Sequence, residues 1–349
     1  MPNNISNKTL LAMLKSKKVG AFIIISLILL ITFFTSSKPR AYSHLVDERF
    51  SMDTLMKIDV WSDNSNINSS KKSLSKAFLA INEVNNQTDR YSELTKFGLY
   101  NLNKLKIPNL IETTNIPPEY KKSKHLVNLI HFLATNNSPY FRADIADLIN
   151  LWQSKKEENL VPTKKEVTAA LLASKNSGSL DLGGIAKGYA VDQAYNELIK
   201  NKNIKAALIN SGGNIRVLGL QKNKKSWKIG IQHPRSKNSY LGVITLQPGE
   251  AVATSGDYKR YYIVNGKRYH HILDPETGYP AKGLISVTVW SKSAELSDYY
   301  STLLFVAGLD KSKEILKQTP SIGAIIMDSN QQIYVSQNLT KIFKEQLNN

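Results

Sequence analysis

The chain has 349 residues, of which 42% are hydrophobic and 21% charged, so it can bury a sizeable core and is not a disordered polypeptide. It contains no cysteine, which excludes disulfide bonds, thiolate metal sites and a lipid anchor on an N-terminal cysteine. The formal net charge of +18 favours acidic partners, although a solvated basic surface explains the same excess, and no nucleic-acid-binding signature accompanies it.

The N-terminus carries an apolar run, Val19–Phe34, that follows Lys8, Lys15, Lys17 and Lys18. With the next three residues it gives 19 uncharged positions, close to the ~20 that span the hydrocarbon of a bilayer. Because cations favour the cytoplasmic side, we predict a single-pass anchor with the rest of the protein outside the cytoplasm. A cleaved signal peptide is the alternative.

These features divide the chain into four predicted segments. They are a cytoplasmic N-terminus (1–18), a transmembrane anchor or uncleaved signal (19–36), a linker (37–49) and one globular domain (50–349). Within the last segment, apolar alternation predicts strands at 55–61, 206–209, 215–219, 227–231, 241–246 and 287–290, and a closing hairpin over 322–335. Helical periodicity predicts helices at 73–85, 124–135, 143–153, 164–173, 296–306 and 311–317. Strands and helices mix without regular alternation, which predicts a single α+β domain.

The segment Ser179–Asp192 predicts a short strand that ends in two glycines, followed at once by a helix. Gly183 and Gly184 allow another group to approach the backbone, and a helix N-terminus offers free N–H groups to a phosphate. Lys187 adds a cation in the first turn. A tight turn that packs a helix on a sheet explains the same pattern without a ligand.

Two further segments are rich in polar groups. The turn Asn210–Asn214 can hydrogen-bond a ligand, although ordinary hairpin turns use the same residues. The segment Ala253–Ala281 contains a rigid, proline-pinned loop, which is typical of a functional site. Its functional groups are Thr254, Ser255, Asp257, His270, His271 and Asp274. If the two adjacent histidines lie in a strand, they face opposite sides, and a single histidine judged alone would more often be structural.

Asp298 and Thr302 are four residues apart and therefore share one face of a predicted helix. Both present oxygen, which is the ligand atom that Mg²⁺ prefers. A capped or solvent-facing pair would give the same spacing.

Together these segments resemble the ApbE family of FAD:protein FMN transferases. Members carry the motifs D-L-G-G-x-A-K-G-Y-A-x-D, N-x-G-G-N, T-S-G-D-Y, H-I-x-D-P-x-T-G-x-P and A-D-x-x-x-T. Here the motifs stand in the same order at Asp181–Asp192, Asn210–Asn214, Thr254–Tyr258, His271–Pro280 and Asp298–Thr302. Ser297 replaces the usual alanine of the last motif.

The resemblance implies a single α+β domain with FAD in a cleft. It implies Mg²⁺ bound by Asp298, Thr302 and the backbone carbonyl of Ala186. The positions that match FAD-lining residues are Met52, Tyr140, Phe141, Arg142, Gly183, Tyr189 and Ile272, with Thr254 and Ser255 of the T-S-G-D-Y segment counted among them. Arg142 departs from the family, which often has aspartate there, and this puts the adenine-side contacts in question.

The implied reaction transfers FMN from FAD to a Thr or Ser hydroxyl of an extracytoplasmic or membrane flavoprotein, with formation of a phosphoester and release of AMP. Mg²⁺ and Lys187 suit the charge on the phosphoryl oxygens. His271 matches the essential histidine and is the candidate base, since its ordinary pKa is ~6.5. Either Asp257 or Asp274 is expected to orient its ring, and His270 is expected to matter little.

Two other functions fit the same residues. One is a Mg²⁺-dependent FAD pyrophosphatase that gives FMN and AMP. The other is a non-catalytic flavin-binding membrane module.

Overall fold

The computed structural model describes residues 42–221, 223–236 and 238–346. The predicted cytoplasmic segment and the predicted anchor at 19–36 lie outside these ranges. Among the helices that are described, none combines the length and the apolar character needed to cross a bilayer. From His44 onward the described chain forms one compact unit, which agrees with the predicted single mixed domain.

The described residues form eight α-helices and thirteen strands. The helices are α1 (Ile67–Thr88), α2 (Leu99–Lys104), α3 (Leu110–Thr113), α4 (Lys124–Thr135), α5 (Ala146–Glu157), α6 (Lys164–Ser177), α7 (Ala186–Leu198) and α8 (Ala294–Gln318). The strands are β1 (Tyr42–Ser51), β2 (Thr54–Asp63), β3 (Ile204–Ser211), β4 (Asn214–Gly219), β5 (Trp227–Gln232), β6 (Tyr240–Leu246), β7 (Ala251–Gly256), β8 (Tyr261–Val264), β9 (Lys267–His270), β10 (Leu284–Ser291), β11 (Gly323–Asp328), β12 (Ile333–Val335) and β13 (Phe343–Glu345).

One prediction about these elements is corrected. The linker predicted over 37–49 is, from Tyr42 onward, strand β1, in which exposed residues alternate with residues that are only half-buried, so no strong apolar alternation marks it. The two helices predicted at 296–306 and 311–317 are confirmed: α8 consists of two helical segments separated by a kink at Gly308, whose φ of 77° is not helical. Glycine adopts this left-handed φ without the steric cost that a side chain would add.

Most strands join one eight-stranded sheet, in the order β1-β2-β3-β4-β7-β10-β11-β12. Its ladders from β2 to β12 are antiparallel. Helices α1, α7 and α8 cover one face of this sheet over the main apolar core. The three-stranded sheet β13-β6-β5 covers the other face over a second core.

The turns at one end of the large sheet lie close together. The β1–β2 turn contains Met52 and Asp53, both with positive φ, and the β3–β4 turn contains Gly212. A Cβ on Gly212 would lie 2.5 Å from Oγ1 of Thr54, so the two turns approach this closely only because the residue is glycine. The end of β7 and the start of α7 reach the same region, where a cleft opens.

Candidate active site

The cleft has a volume of about 760 Å³, within the range of small-molecule and cofactor sites. Most of the sequence-predicted site residues line it. They are Met52, Tyr140, Phe141, Arg142, Gly183, Ala186, Lys187, Thr254, Ser255, His271, Ile272, Asp298 and Thr302. The cleft thus brings together residues that lie as far apart in the chain as Met52 and Thr302.

One side of the cleft, which we call the helical wall, consists of the first turn of α7 and of Asp298, Thr302 and Val306 of α8. The backbone N–H of Gly188 in α7 donates to Oδ2 of Asp298 in α8 at 2.8 Å. A Cβ on Gly188 would lie 2.2 Å from the carbonyl oxygen of Ala294 and 2.6 Å from Cβ of Asp298. The absence of a side chain at this position therefore permits the contact between the two helices.

A second carboxylate ties the same helices together in the opposite direction. Asp192 of α7 accepts hydrogen bonds from the backbone N–H groups of Ala294 (2.9 Å) and Glu295 (3.0 Å) in the first turn of α8. It also accepts from Oγ of Ser293 and from Nη1 of Arg216, each at 2.7 Å. The last aspartate of the D-L-G-G motif thus caps a helix, a structural role that satisfies free N–H groups.

Asp298 is only 5% exposed and forms no ion pair with another described residue. Burial raises its pKa, while the nearby charges of Lys187 and Arg260 and the Gly188 N–H act in the opposite direction. The buried amide of Asn214 lies near enough to favour the charged carboxylate, although its Nδ2 meets no partner in good hydrogen-bond geometry. A buried carboxylate without a cationic partner fits the neighbourhood of a bound cation.

The other predicted metal ligands lie beside Asp298. Thr302 is one turn further along α8, and its Oγ1 is 3.1 Å from Oγ of Ser255. Ala186 is the first residue of α7. This set offers one carboxylate, one hydroxyl and one carbonyl, and the described part of the chain contains no group of three His, Cys, Asp or Glu side chains that could hold a metal. The donors are all oxygen, which suits Mg²⁺ with several retained waters.

The loop before α7 forms the floor between the two sides. The Asp181 carboxylate accepts from the N–H of Gly183 at 2.8 Å, and Nζ of Lys187 donates to the Gly183 carbonyl at 2.9 Å. A Cβ on Gly184 would lie 2.9 Å from the ring of Phe141. The ammonium of Lys187 is therefore held over a glycine loop that an anionic group can approach closely.

The opposite side, the hairpin wall, consists of hairpin β8–β9 and its flanking residues Lys259, Arg260 and His271. The backbone N–H and the ring Nδ1 of His271 both lie 3.1 Å from the carbonyl oxygen of Arg260. A carbonyl only accepts, so Nδ1 carries the proton and Nε2 is the unprotonated nitrogen of the neutral ring.

The pKa of His271 is lowered, first by the desolvation of its position deep in the cleft and then by the charges of Arg260 and Lys187. The side chain still opens on the cleft, so water offsets part of this desolvation. The direction of the shift keeps the ring neutral and able to accept a proton near neutral pH.

Neither predicted carboxylate orients His271, and neither lines the cleft. Asp257 receives two hydrogen bonds from Arg235, at 2.7 and 2.6 Å, and a longer one from Arg268 at 3.3 Å. Asp274 instead accepts from the Glu276 N–H and the Thr277 hydroxyl within its own turn, each at 2.9 Å. A backbone carbonyl performs the orienting role that we expected of a carboxylate.

Tyr189 also departs from its expected place. It is buried in the helical layer, and its hydroxyl is 3.0 Å from Nδ2 of Asn128 and 3.1 Å from Nδ1 of His125. The side chain is absent from the cleft lining. Its polar group already has two partners within the fold, which accounts for its position without a ligand.

His270 is buried rather than turned away to solvent. Its Nε2 is 2.9 Å from the Ala281 carbonyl, and its Nδ1 accepts from the N–H of Ile272 at 3.3 Å. It thereby fastens the end of β9 to the loop that follows His271, a structural role that the sequence analysis did not assign to it.

Arg142, which replaces the family aspartate, lies in the cleft wall with its charge compensated. Its Nε donates to Oδ1 of Asp144 at 2.7 Å, and an Nη2 contact reaches Glu112 at 3.4 Å. The guanidinium is one-third exposed towards the cleft.

Sequence reasoning missed four cations of the cleft, which are Arg90, Lys156, Lys259 and Arg260. Nε of Arg90 lies 2.6 Å from Oδ2 of Asp181 in a nearly buried ion pair without good hydrogen-bond direction. A lone arginine after a helix carries no pattern that predicts this. Arg260, by contrast, lies inside the polar segment that contains His271, and its charge there was a usable signal.

Comparisons with known proteins agree with this geometry. A family model described as the ApbE family matches residues 52–326. The FAD:protein FMN transferase of Klebsiella pneumoniae is 35% identical over 215 residues, covering 56% of this chain and 66% of the relative. That of Rhodobacter capsulatus is 39% identical over 157 residues, covering 45% of this chain and 29% of the relative. The chain thus spans less than two thirds of the length of these relatives.

Solved structures show the same fold. The ApbE protein of Thermotoga maritima superposes with a TM-score of 0.71 at 31% identity, covering 87% of this chain and all of that chain. The flavin transferase ApbE of Vibrio cholerae gives a TM-score of 0.69 at 22% identity, covering 86% of this chain, which is a likeness of fold. The family model covers well over half of the sequence, and the chain therefore belongs to the ApbE family.

Proposed function

We propose that the protein transfers FMN from FAD to a Thr or Ser hydroxyl of another protein, with Mg²⁺ and with release of AMP. The observation that carries the proposal is that Lys187, Asp298 and His271 line the same cleft. The charge of Lys187 favours the ionised carboxylate of Asp298 and the neutral ring of His271. A candidate cation ligand and a candidate base thus face one cleft that also holds an ammonium group, and relatives bear the name FAD:protein FMN transferase.

The cleft supplies what FAD needs for binding. Lys187 and Arg260 offer positive charge to the pyrophosphate, and the glycine loop allows its oxygens to approach the backbone. Asp298, Thr302 and the Ala186 carbonyl would hold Mg²⁺. When bound, this ion neutralises phosphoryl oxygens and favours departure of AMP.

His271 acts on the acceptor. Nε2 of the neutral ring takes the proton of the acceptor hydroxyl, and the oxygen attacks the phosphorus on the riboflavin side of the pyrophosphate. The bond from that phosphorus to the bridging oxygen breaks, and AMP leaves with the electron pair. The lowered pKa of His271 then favours release of the proton to water.

Mass spectrometry of a candidate extracytoplasmic flavoprotein, incubated with FAD, Mg²⁺ and the protein, tests this proposal. We expect a covalent FMN adduct on Thr or Ser and one AMP for each adduct. Free FMN and AMP without an adduct would identify a pyrophosphatase, and unchanged FAD would identify a flavin-binding module. Asp298→Asn serves as the inactive control.

We also propose that residues 19–36 anchor the protein with its cleft outside the cytoplasm. The apolar run and the lysines before it support this topology. The protein should then remain with membranes after a high-salt wash and keep its N-terminus. A soluble protein that begins near residue 40 would show cleavage instead.

A further inference from the structure

The end of the large sheet opposite the cleft is built from three segments, which are the first turns of α1, the chain before β3 and the chain between β4 and β5. The N–H of Asp63, which ends β2, donates to the Asn203 carbonyl at 2.9 Å. The side-chain amide of Asn201 donates to Oγ of Ser69 and of Ser73 in α1, each at 3.0 Å. These bonds hold the first two segments side by side.

The third segment is tied to the same place. Nε1 of Trp227 donates to the Gly219 carbonyl at 2.8 Å, and Gly219 pairs with Ala206 near the start of β3. A Cβ on Gly219 would lie 1.9 Å from the carbonyl oxygen of Lys205, so this close approach requires glycine. At the other end of the same β3–β4 hairpin, Gly212 lines the cleft. The hairpin therefore connects the cleft with the end where the three segments meet.

The three segments are basic throughout. Residues 64–76, 199–205 and 220–228 contain ten lysines and no aspartate or glutamate. Five exposed lysines among them define what we call the basic face: Lys72, Lys200, Lys202, Lys224 and Lys225. Within the described part of the chain, Lys200 is the only one of these five with a carboxylate partner, Glu197. The face therefore keeps most of its positive charge for an anionic partner.

FAD in the cleft does not account for this charge. None of the five lysines lines the cleft. The ten residues of β2 begin beside the cleft and end at Asp63, a distance of about 33 Å. A ligand of the cleft therefore lies too far away to be bound by the basic face.

The N-terminal part of the described chain enters the fold at this end. His44 in β1 stacks on Trp61 at 4.3 Å between ring centroids, and Trp61 contacts Trp227 edge-on at 5.4 Å. The eight residue steps from position 36, where the proposed anchor ends, to His44 reach at most about 29 Å. An anchor at 19–36 would therefore hold the basic face, rather than the cleft, close to the bilayer.

We infer that the basic face lies against the anionic phospholipid headgroups of the membrane that carries the anchor. Lysines near such a surface are attracted by its negative potential, and Ile199, 45% exposed beside Lys200, adds an apolar group to the contact. The short tether favours lipid over a soluble acidic partner. The cleft then faces away from the bilayer, about 33 Å above the headgroups, where an acceptor must present its hydroxyl. This inference rests on the proposed anchor and not on the transfer of FMN.

The full chain in lipid nanodiscs tests the inference by energy transfer to a fluorophore on the lipid headgroups. Because the sequence contains no cysteine, Asn68→Cys in the first turn of α1 and Glu276→Cys at the cleft end each give one labelling site. In discs with phosphatidylglycerol, energy transfer should be about threefold or more greater from position 68, since the two ends lie ~33 Å apart. Discs of phosphatidylcholine alone, or high salt, should reduce it.

Charge reversal identifies the lysines responsible. Lys202→Glu combined with Lys224→Glu should lower energy transfer from position 68 in anionic discs about twofold. The matched control, Lys164→Glu combined with Lys165→Glu, reverses two exposed lysines at the start of α6 and should leave it unchanged. Equal energy transfer from the two labelled positions overturns the inference. So does a signal that ignores lipid charge or the reversal of Lys202 and Lys224.

Other partners and the proposed function are scored separately. Retention on polyglutamate through Lys202 and Lys224, without energy transfer in anionic discs, would assign the face to an acidic protein and overturn the inference. In detergent, the variant with both lysines reversed should form FMN adducts like the wild type. If no form of the protein makes adducts while the energy transfer is as expected, the transferase proposal fails and the membrane-facing surface stands. Normal adducts without the energy transfer overturn the surface alone.

Discussion

Asp298 on the helical wall is buried and hydrogen-bonded to the neighbouring helix, whereas His271 on the hairpin wall opens on the cleft and is held by a single carbonyl. The helical wall has a second carboxylate, Asp192, that ties the same two helices together. The hairpin wall has no comparable side-chain tie to His271 among the described residues.

This difference matches the two tasks that the proposed function assigns to the site. A hard cation needs oxygen ligands in fixed positions, which interlocked helices provide. A protein substrate must enter and leave, which requires an open, solvated side. We therefore expect substitutions on the helical wall to affect metal binding and stability together, and substitution of His271 on the hairpin wall to affect transfer alone.

The largest expected effect is that of Asp298→Asn. The amide oxygen can still accept the Gly188 N–H, so the fold should persist, but the carboxylate charge proposed to hold Mg²⁺ is lost. Because metal charge stabilisation contributes several kcal/mol, transfer should fall by roughly 10³–10⁴-fold. Calorimetric titration measures the affinity for Mg²⁺, and single-turnover kinetics measure the rate of transfer. If Asp298→Asn keeps wild-type activity at limiting Mg²⁺, Asp298 is not a ligand of the metal.

His271→Asn is the corresponding test of the hairpin wall. FAD affinity should stay within a few-fold, since the base acts only when the hydroxyl loses its proton, while transfer should fall about 10²–10³-fold. Fluorescence titration with FAD and single-turnover transfer separate the two. If this variant still transfers FMN at the wild-type rate, the base is another group.

Gly188→Ala tests how tightly the helical wall is packed. The added methyl group meets the Ala294 carbonyl at 2.2 Å, so α7 and α8 must separate. We expect a loss of stability of about 1–3 kcal/mol, typical of overpacking, together with weaker Mg²⁺ binding. Thermal unfolding without Mg²⁺ measures the loss of stability, and the additional stabilisation by Mg²⁺ reports the strength of its binding. A variant that unfolds like the wild type would show that the helices can adjust without cost.

His270→Asn should act on stability more than on chemistry. Removing the bond to the buried Ala281 carbonyl costs about 1–3 kcal/mol, and transfer should fall only several-fold as the loop loosens. Chemical denaturation measures the loss in free energy of unfolding, and single-turnover kinetics measure the fall in transfer. Loss of transfer as large as that of His271→Asn, with FAD binding intact, would make His270 the base.

The smallest effect concerns pH. In the proposed mechanism transfer requires neutral His271. Its folded pKa is lowered below the usual value, so activity should persist as pH falls through ~6.5 and decline only at lower pH. Arg260→Gln removes a repelling cation, raises the pKa and should move the acid limb of kcat/KM upward by less than about one unit. Lys311→Gln, a surface change on α8, should leave the limb in place. A downward movement in Arg260→Gln would contradict the assignment.

The same pH argument applies to stability. A histidine whose pKa is lower in the folded state contributes stability above the unfolded pKa of ~6.5, and this contribution is lost as pH falls towards the folded pKa. For His271 the contribution is small, because the ring opens on water.

The sequence predicted those features that depend on residues close together in the chain. Helix α4 has the predicted bounds, because its apolar face repeats with helical spacing. The motif positions around Asp298 and His271 meet in one cleft as the resemblance implied. Assignments failed where partners are distant in the chain, as for Asp257, whose partner Arg235 lies 22 residues away. They failed for Tyr189 because its partners stand on a helix some 60 residues earlier.

The reciprocal capping of α7 and α8 has a consequence for local opening. Asp192 of α7 holds the first turn of α8, and Asp298 of α8 holds the first turn of α7. Neither turn can fray without releasing the other, so the amides of Gly188, Ala294 and Glu295 should exchange with deuterium as one cooperative unit. Added Mg²⁺ should slow all three together, which makes amide exchange a reporter of metal occupancy that requires no catalytic turnover.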